Sequence, residues 1–236
     1  MIFDILTICP QAVRPYFEEG IIKRAQKNKL IEINLRNIRD YTVDKHRVVD
    51  DSPYGGGPGM VIKIEPIWKC LQGINNVKLS AKNNKTKIIL LSPRGKLFDQ
   101  SMAKRWSKLD RLVLISGRYE GVDERVADYI ADEIVSIGDY ILMGGEIAAM
   151  AIVETTARLI PGVIGDETKW SQKKIAKSRK KEIKNRIMGF TEFPQYTKPE
   201  IFKAGKEGEW KVPPVLLSGN HAKIEEWRKK RIVVIK

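Results

Sequence analysis

The sequence predicts an α/β protein built on a mostly parallel sheet, with a smaller unit behind it. Three observations carry this expectation. Short apolar, β-branched runs alternate with longer amphipathic stretches; glycine-bearing loops follow several of those runs; and a strongly basic stretch separates this alternating part from the C-terminal residues. Residues 3–8 read as a strand, 15–26 as a helix and 31–38 as a strand. The rhythm resumes with strand 87–91, helix 100–107, strand 112–115, helix 123–129 and strand 133–137, and such alternation calls for a helix-covered parallel sheet. Residues 146–159 are apolar on most faces, and Ala148, Ala149, Ala151 and Ala157 keep this helix slim enough for close packing, at or near an interface.

Pro161-Gly162 ends that helix, and aromatic and apolar residues return with periodic spacing only after Phe190. The expected division is a main domain over residues 1–162, a basic linker over 163–189 and a small α-helical domain over 190–236. In the last, residues 222–230 form a helix with Ile224 and Trp227 on its apolar stripe. A length of 236 residues suffices for one domain of about 150 residues and a smaller one.

Composition narrows the function classes. Cys9, Cys70, His46 and His221 make no metal-ligand pattern and no disulfide framework, so no metal site is expected. The first apolar run, residues 2–8, contains Asp4 and stops before Pro10; it is too short and polar for a signal peptide or membrane span, and the expected location is cytoplasmic, with no membrane partner. The net charge of +14 and pI near 9.7 point to a polyanionic partner. Much of the excess lies in residues 169–186, where Lys169, Lys173, Lys174, Lys177, Arg179, Lys180, Lys181, Lys184 and Arg186 face the single acid Glu182. A solvated linker explains such a run as well as an RNA-binding segment does, and the two are compatible.

Four loops can carry chemistry. Three follow expected strands, where the diverging strand ends of a parallel sheet leave a crevice: Leu91-Ser92-Pro93-Arg94-Gly95, Ser116-Gly117-Arg118-Tyr119-Glu120-Gly121, and the run from Ile137 through Gly144-Gly145 to Glu146. Glycine lets backbone donors and acceptors approach a flat ligand, although tight strand-to-helix turns use it for the same reason. Asp123 is placed to cap the following helix, which leaves Glu120 as the freer carboxylate. The fourth loop, Pro53-Tyr54-Gly55-Gly56-Gly57-Pro58-Gly59-Met60, has neither a phosphate-loop ending nor a dinucleotide-binding register. Preceded by Asp50-Asp51 and by His46 and Arg47, it could close over a base.

These loops, together with Lys45-His46-Arg47, Gly121-Val122-Asp123-Glu124-Arg125, Arg158, Pro161-Gly162-Val163, Pro194-Gln195-Tyr196-Thr197 and the run Pro213-Pro214-Val215-Leu216-Leu217-Ser218-Gly219-Asn220-His221, resemble the bacterial tRNA (guanine-N1)-methyltransferases. That family lies within the trefoil-knot, or SPOUT, methyltransferases, and the resemblance covers nearly the whole chain. It implies a deep trefoil knot in the main domain, a homodimer with active sites at the subunit interface, and S-adenosyl-L-methionine-dependent methylation of N1 of guanosine 37, 3′ of the anticodon, in tRNA. A magnesium ion is a second candidate cofactor. Carried over residue by residue, the donor would be held by Leu91, Ser92, Pro93, Gly117, Tyr119, Glu120, Ile137, Gly138, Asp139, Tyr140, Ile141, Leu142, Gly144 and Gly145. The tRNA would meet His46, Asp51, Tyr54, Gly57, Lys173 and Lys174.

The reaction needs a base and an anion stabiliser, because guanine N1 is a poor nucleophile until its proton leaves and charge then develops on O6. Arg158 matches the family's stabiliser, although an arginine at a helix C-terminus also suits the helix dipole. Glu120 completes the expected catalytic set with Glu182, the only acid in a stretch that replaces the family's short acidic segment; a linker glutamate paired with its lysines is the alternative for Glu182. Met143 and Ala148 stand where the family commonly has a small hydroxylated residue and a proline. Two alternative readings remain open at this point: a non-catalytic RNA-binding protein of the same fold, and a knotted methyltransferase for another RNA position.

Overall fold

The computed structural model describes residues 1–74, 85–164, 190–231 and 233–235. Strand β1 (Ile2–Thr7) leads through two short helices, α1 (Arg14–Phe17) and α2 (Gly20–Lys27), to β2 (Glu32–Asn37). A small ribbon of β3 (Asp50–Asp51) and β4 (Val61–Ile62) flanks the glycine-rich loop and precedes α3 (Ile64–Gln72). Next come β5 (Thr86–Leu97), α4 (Gln100–Trp106), β6 (Arg111–Ser116), α5 (Arg125–Tyr129), β7 (Glu133–Ser136) and α6 (Glu146–Ala157). The C-terminal part holds β8 (Phe190–Glu192), β9 (Ile201–Lys203), β10 (Glu209–Lys211), α7 (Pro214–Leu217), α8 (His221–Arg231) and β11 (Val233–Ile235).

Five strands form one sheet in the order β2-β1-β6-β5-β7, with every neighbouring pair parallel, as the alternating sequence predicts. Side chains alternate across the sheet, so Phe3 and Ile5 of β1, Ile89 of β5 and Leu112 and Leu114 of β6 share one face. Met102 and Trp106 of α4 and Ala149, Ile152 and Val153 of α6 cover it. On the other face, Leu6, Ile88, Leu90, Val113 and Ile115 pack against Ile64, Ile67 and Leu71 of α3 and Val126 of α5. Each fully buried aliphatic side chain contributes about 1.5–3 kcal/mol. One charge is built into the sheet: Asp4 of β1 is fully buried and accepts from Arg36 of β2 at 2.7 Å and from Arg111 of β6 at 2.8 Å, tying three adjacent strands together.

The structure departs from the sequence reading in four places. The expected helix 15–26 is two helices, because Gly20 takes a left-handed φ of +60° where the second begins. The expected loop after residue 91 lies inside one long strand: β5 pairs with β7 up to Leu91 and again from Lys96, with a register shift between them. Gly95 sits in that bulge, and a Cβ there would come 2.4 Å from the backbone nitrogen of Val135, so nothing larger fits the approach to β7. Asp123 is less a helix cap than half of a fully buried ion pair with Arg125, although it does accept the Arg125 backbone N–H at 3.0 Å. Finally, the residues after 190 contain strands as well as the expected helix around 222–230. Phe202 of β9 and Trp210 of β10 pack on Trp68 of α3, at centroid distances of 5.7 and 5.2 Å, and so join the larger core. Tyr196, Val212, Leu216 and Ile224 form a separate small cluster.

Candidate active site

The three strand-end loops meet in one cleft of ≈ 890 Å³, counting the space open to solvent. The walls come from the β5 bulge (Leu91, Ser92, Pro93, Arg94), from the loop after β6 (Gly117, Arg118, Tyr119, Glu120, Gly121) and from the loop between β7 and α6 (Ile137, Tyr140, Ile141, Leu142, Met143, Gly144, Gly145). Parallel pairing sets this up, since β5, β6 and β7 all end on the same side and their loops must diverge there. Backbone contacts stitch the loops together: the Gly145 N–H donates to the Gly117 carbonyl at 2.8 Å, and Arg118 and Gly144 form an isolated antiparallel bridge. A Cβ on Gly145 would sit 2.8 Å from the Cα of Ser116, so the approach of the two loops requires glycine there.

Of the donor-binding residues expected from the sequence, Leu91, Ser92, Pro93, Gly117, Tyr119, Glu120, Ile137, Tyr140, Ile141, Leu142, Gly144 and Gly145 line this cleft. Gly138 and Asp139 do not; Gly138 instead exchanges hydrogen bonds with the Ser136 hydroxyl in the turn below, and Asp139 is exposed. Tyr119 holds a left-handed φ of +60° and is half-exposed, a conformation costly for a residue with a Cβ.

Arg158 stands elsewhere. Gly144, Gly145 and Ala148 put the N-terminal end of α6 on the cleft, whereas Arg158 caps its C-terminal end beside Ile21, Glu154 and Val163. Twelve helical residues span about 18 Å, so this arginine does not reach the cleft of its own chain. The glycine-rich loop is also less free than its composition suggests. Tyr54 packs on the small C-terminal cluster and its N–H donates to the Tyr196 carbonyl at 2.8 Å. Arg228 of α8 donates to the carbonyls of Gly55 and Gly56 and lies 3.6 Å from where a Cβ on Gly57 would be. Asp51 faces the Lys198 ammonium at 3.6 Å, and His46 is exposed. Lys173, Lys174 and Glu182 lie outside the described residues.

Several cleft features escape sequence reading. Glu124 is almost fully buried on the wall, ion-paired with Arg94, and its N–H donates to the Gln195 carbonyl at 2.7 Å. Burial pushes its carboxyl up to about 7, with the Arg94 charge acting against that rise. The neighbouring Asp123–Arg125 pair extends the link to the C-terminal residues: Arg125 donates to the carbonyls of Thr197 at 2.8 Å and Trp210 at 3.2 Å, and Asp123 accepts from the Thr197 N–H at 2.9 Å. Phe193 and Gln195 therefore form part of the cleft wall. A basic residue beside a strand-end glycine was the available signal for Arg94 and Arg118; nothing in the sequence places residues 193–195 there. Among the described residues no group of three or more His, Cys, Asp or Glu side chains gathers for a metal ion, and no helix is long and apolar enough to cross a membrane.

A parallel sheet whose strand-end loops meet on one cleft places the chain among α/β proteins of the kind that offer a ligand site at the carboxyl ends of their strands. Comparison with known proteins gives the family. The family model described as tRNA (Guanine-1)-methyltransferase TrmD matches residues 1–234. The curated tRNA (guanine-N(1)-)-methyltransferase of Koribacter versatilis is 44% identical over 237 residues, covering 98% of this chain and 87% of that protein. That of Dictyoglomus turgidum is 48% identical over 227 residues, covering 96% and 83%. The solved structure of the tRNA (m1G37) methyltransferase from Aquifex aeolicus superposes with a TM-score of 0.62 at 35% identity, covering 96% of this chain and 87% of that one. The chain belongs to the tRNA (guanine-N1)-methyltransferase family.

Proposed function

We propose that this enzyme transfers the methyl group of S-adenosyl-L-methionine to N1 of guanosine 37 in tRNA. The observation that carries the reading is the cleft itself: loops from three adjacent parallel strands, joined through Gly117 and Gly145, line one cleft with backbone groups on its walls. When bound, the donor supplies a methyl group already activated on a sulfonium, so the protein's work is alignment, proton removal and charge stabilisation. Leu91, Ile137 and Leu142 provide apolar surface for a flat ring, and the glycines bring backbone donors and acceptors within reach. Glu120, on the cleft wall, is the acidic member of the catalytic set in this reading.

The position of Arg158 supports a homodimer. A group that stabilises charge on O6 must reach the reacting base, and the far end of α6 does so only if a second copy lies antiparallel against this one. Tyr140, Ile141, Met143 and Ile147 are exposed around the cleft end of α6 and give such a copy an apolar surface to cover. In the same reading Glu182 takes the N1 proton, and Lys173 and Lys174 meet tRNA phosphates together with His46, Asp51, Tyr54 and Gly57. In this reading the knotted catalytic domain spans residues 1–162, the basic linker 163–189 and the tRNA-binding domain the remainder.

The test is nucleoside analysis of tRNA after incubation with the enzyme and the donor. We expect 1-methylguanosine, and none from a transcript with adenosine in place of guanosine 37. Methylation at another position would refute the assignment.

A further inference from the structure

Arg118 is a cleft residue whose charged group is fixed by a support built from the core. Its Nε donates to Glu146 Oε1 at 3.1 Å, and the Thr7 hydroxyl, at the end of β1, donates to the same oxygen at 2.7 Å. Glu146 is 3% exposed and Thr7 fully buried, so the carboxylate cannot move to solvent. Its other oxygen, Oε2, is buried and has no hydrogen-bond partner among the described residues. A buried carboxylate so incompletely satisfied needs its arginine close by, which holds the guanidinium to one position. Gly144 completes the fit, since a Cβ there would come 2.4 Å from Glu146 Oε2 and 2.8 Å from Arg118 Cγ.

With Nε committed to Glu146, the two terminal nitrogens of Arg118 have no hydrogen-bond partner among the described residues, while the side chain lines the cleft and is about 30% exposed. A guanidinium edge with paired donors matches a carboxylate two-to-two. Glu120, two residues along the same loop, also lines the cleft with the opposite charge. Adjacent cationic and anionic side chains complement a zwitterionic amino acid, with its α-carboxylate on one and its α-ammonium on the other. A phosphodiester would meet repulsion from Glu120 instead.

We propose that Arg118, held by Glu146 and Thr7, is the receptor for the α-carboxylate of the methyl donor's amino-acid end. The proposal rests on the donor reading above and selects among ligands that share the adenosine and the methyl-bearing sulfonium. The first test uses the wild-type chain alone: calorimetric titration with S-adenosylmethionine and with its decarboxylated analogue, which keeps the sulfonium and the ammonium. We expect the analogue to bind at least about tenfold more weakly, as loss of a charge-assisted pair implies. Equal affinities would overturn the proposal. Failure of the wild-type chain to bind either compound would instead overturn the donor reading.

Arg118→Gln then localises the effect. It should lower affinity for S-adenosylmethionine about tenfold and leave that for the decarboxylated analogue unchanged. Arg118→Lys, which keeps the charge and loses the fork, should fall between. Equal losses for both ligands, or a loss of tRNA affinity with donor affinity intact, would assign Arg118 to loop structure or to an RNA phosphate and reject the carboxylate role.

Discussion

Two buried carboxylates next to each other in the sequence behave oppositely, and both differences can be measured. Asp123 is fully enclosed with Arg125, and the pair also holds the backbone of Thr197 and Trp210. Removing one partner leaves an uncompensated buried charge, which costs about 3–5 kcal/mol. Asp123→Ala should therefore lower the unfolding free energy by about that amount in urea titration; a loss below about 1 kcal/mol would mean that water reaches the pair. Glu124 carries a pKa raised from the ordinary carboxylate value of 4.5 to about 7, chiefly through burial. An acid whose folded-state pKa is raised binds protons more tightly when folded, so stability falls as pH rises from about 4.5 through about 7. Glu124→Gln should flatten the pH dependence of the urea midpoint across that window. An unchanged slope would show that Arg94 keeps Glu124 ionised throughout.

Among the elements, β5 positions the cleft most directly, because its bulge between Leu91 and Lys96 turns Ser92, Pro93 and Arg94 toward the ligand while the strand keeps its pairing with β7. Gly95→Ala should cost about 1–3 kcal/mol, as overpacking does, and should weaken donor binding by shifting that bulge. A stable variant with normal donor affinity would show that the ladder can give at this point. The central strands β1, β5 and β6 were legible because each holds a run of apolar, partly β-branched residues buried on both faces. The bulge was not, because Pro93 and Gly95 carry the same signals as a turn. Strands β9 and β10 were missed for a different reason: Phe202 and Trp210 each stand alone in a three-residue strand, too short for any alternation to register. The cleft residues fell mostly where the strand-end loops were expected. The remoteness of Arg158 follows from the expected helix 146–159, whose start carries the cleft glycines and whose end carries this arginine.

At the scale of the whole molecule, the reading requires two copies and a polyanionic substrate. Light scattering should give the mass of a dimer, and Ile147→Glu, which places a charge on the exposed apolar surface around the cleft, should shift it toward one chain and lower methylation with it. A monomeric wild-type protein with full activity would remove the explanation for Arg158. tRNA affinity should fall steeply with salt, and neutralising Lys173 and Lys174 should reduce the slope by about 2, roughly one unit per phosphate contact. The central claim, that the three strand-end loops hold the methyl donor, is tested most directly by titrating S-adenosylmethionine into the wild-type chain and Gly117→Phe. Gly117 lines the cleft, and an added Cβ would come 3.3 Å from Val122, itself part of the cleft wall, so a phenyl ring there is expected to take up space that the ligand needs. The wild-type chain should bind the donor, and the variant should bind none while unfolding at an unchanged urea midpoint; undiminished affinity in a folded variant would contradict the account.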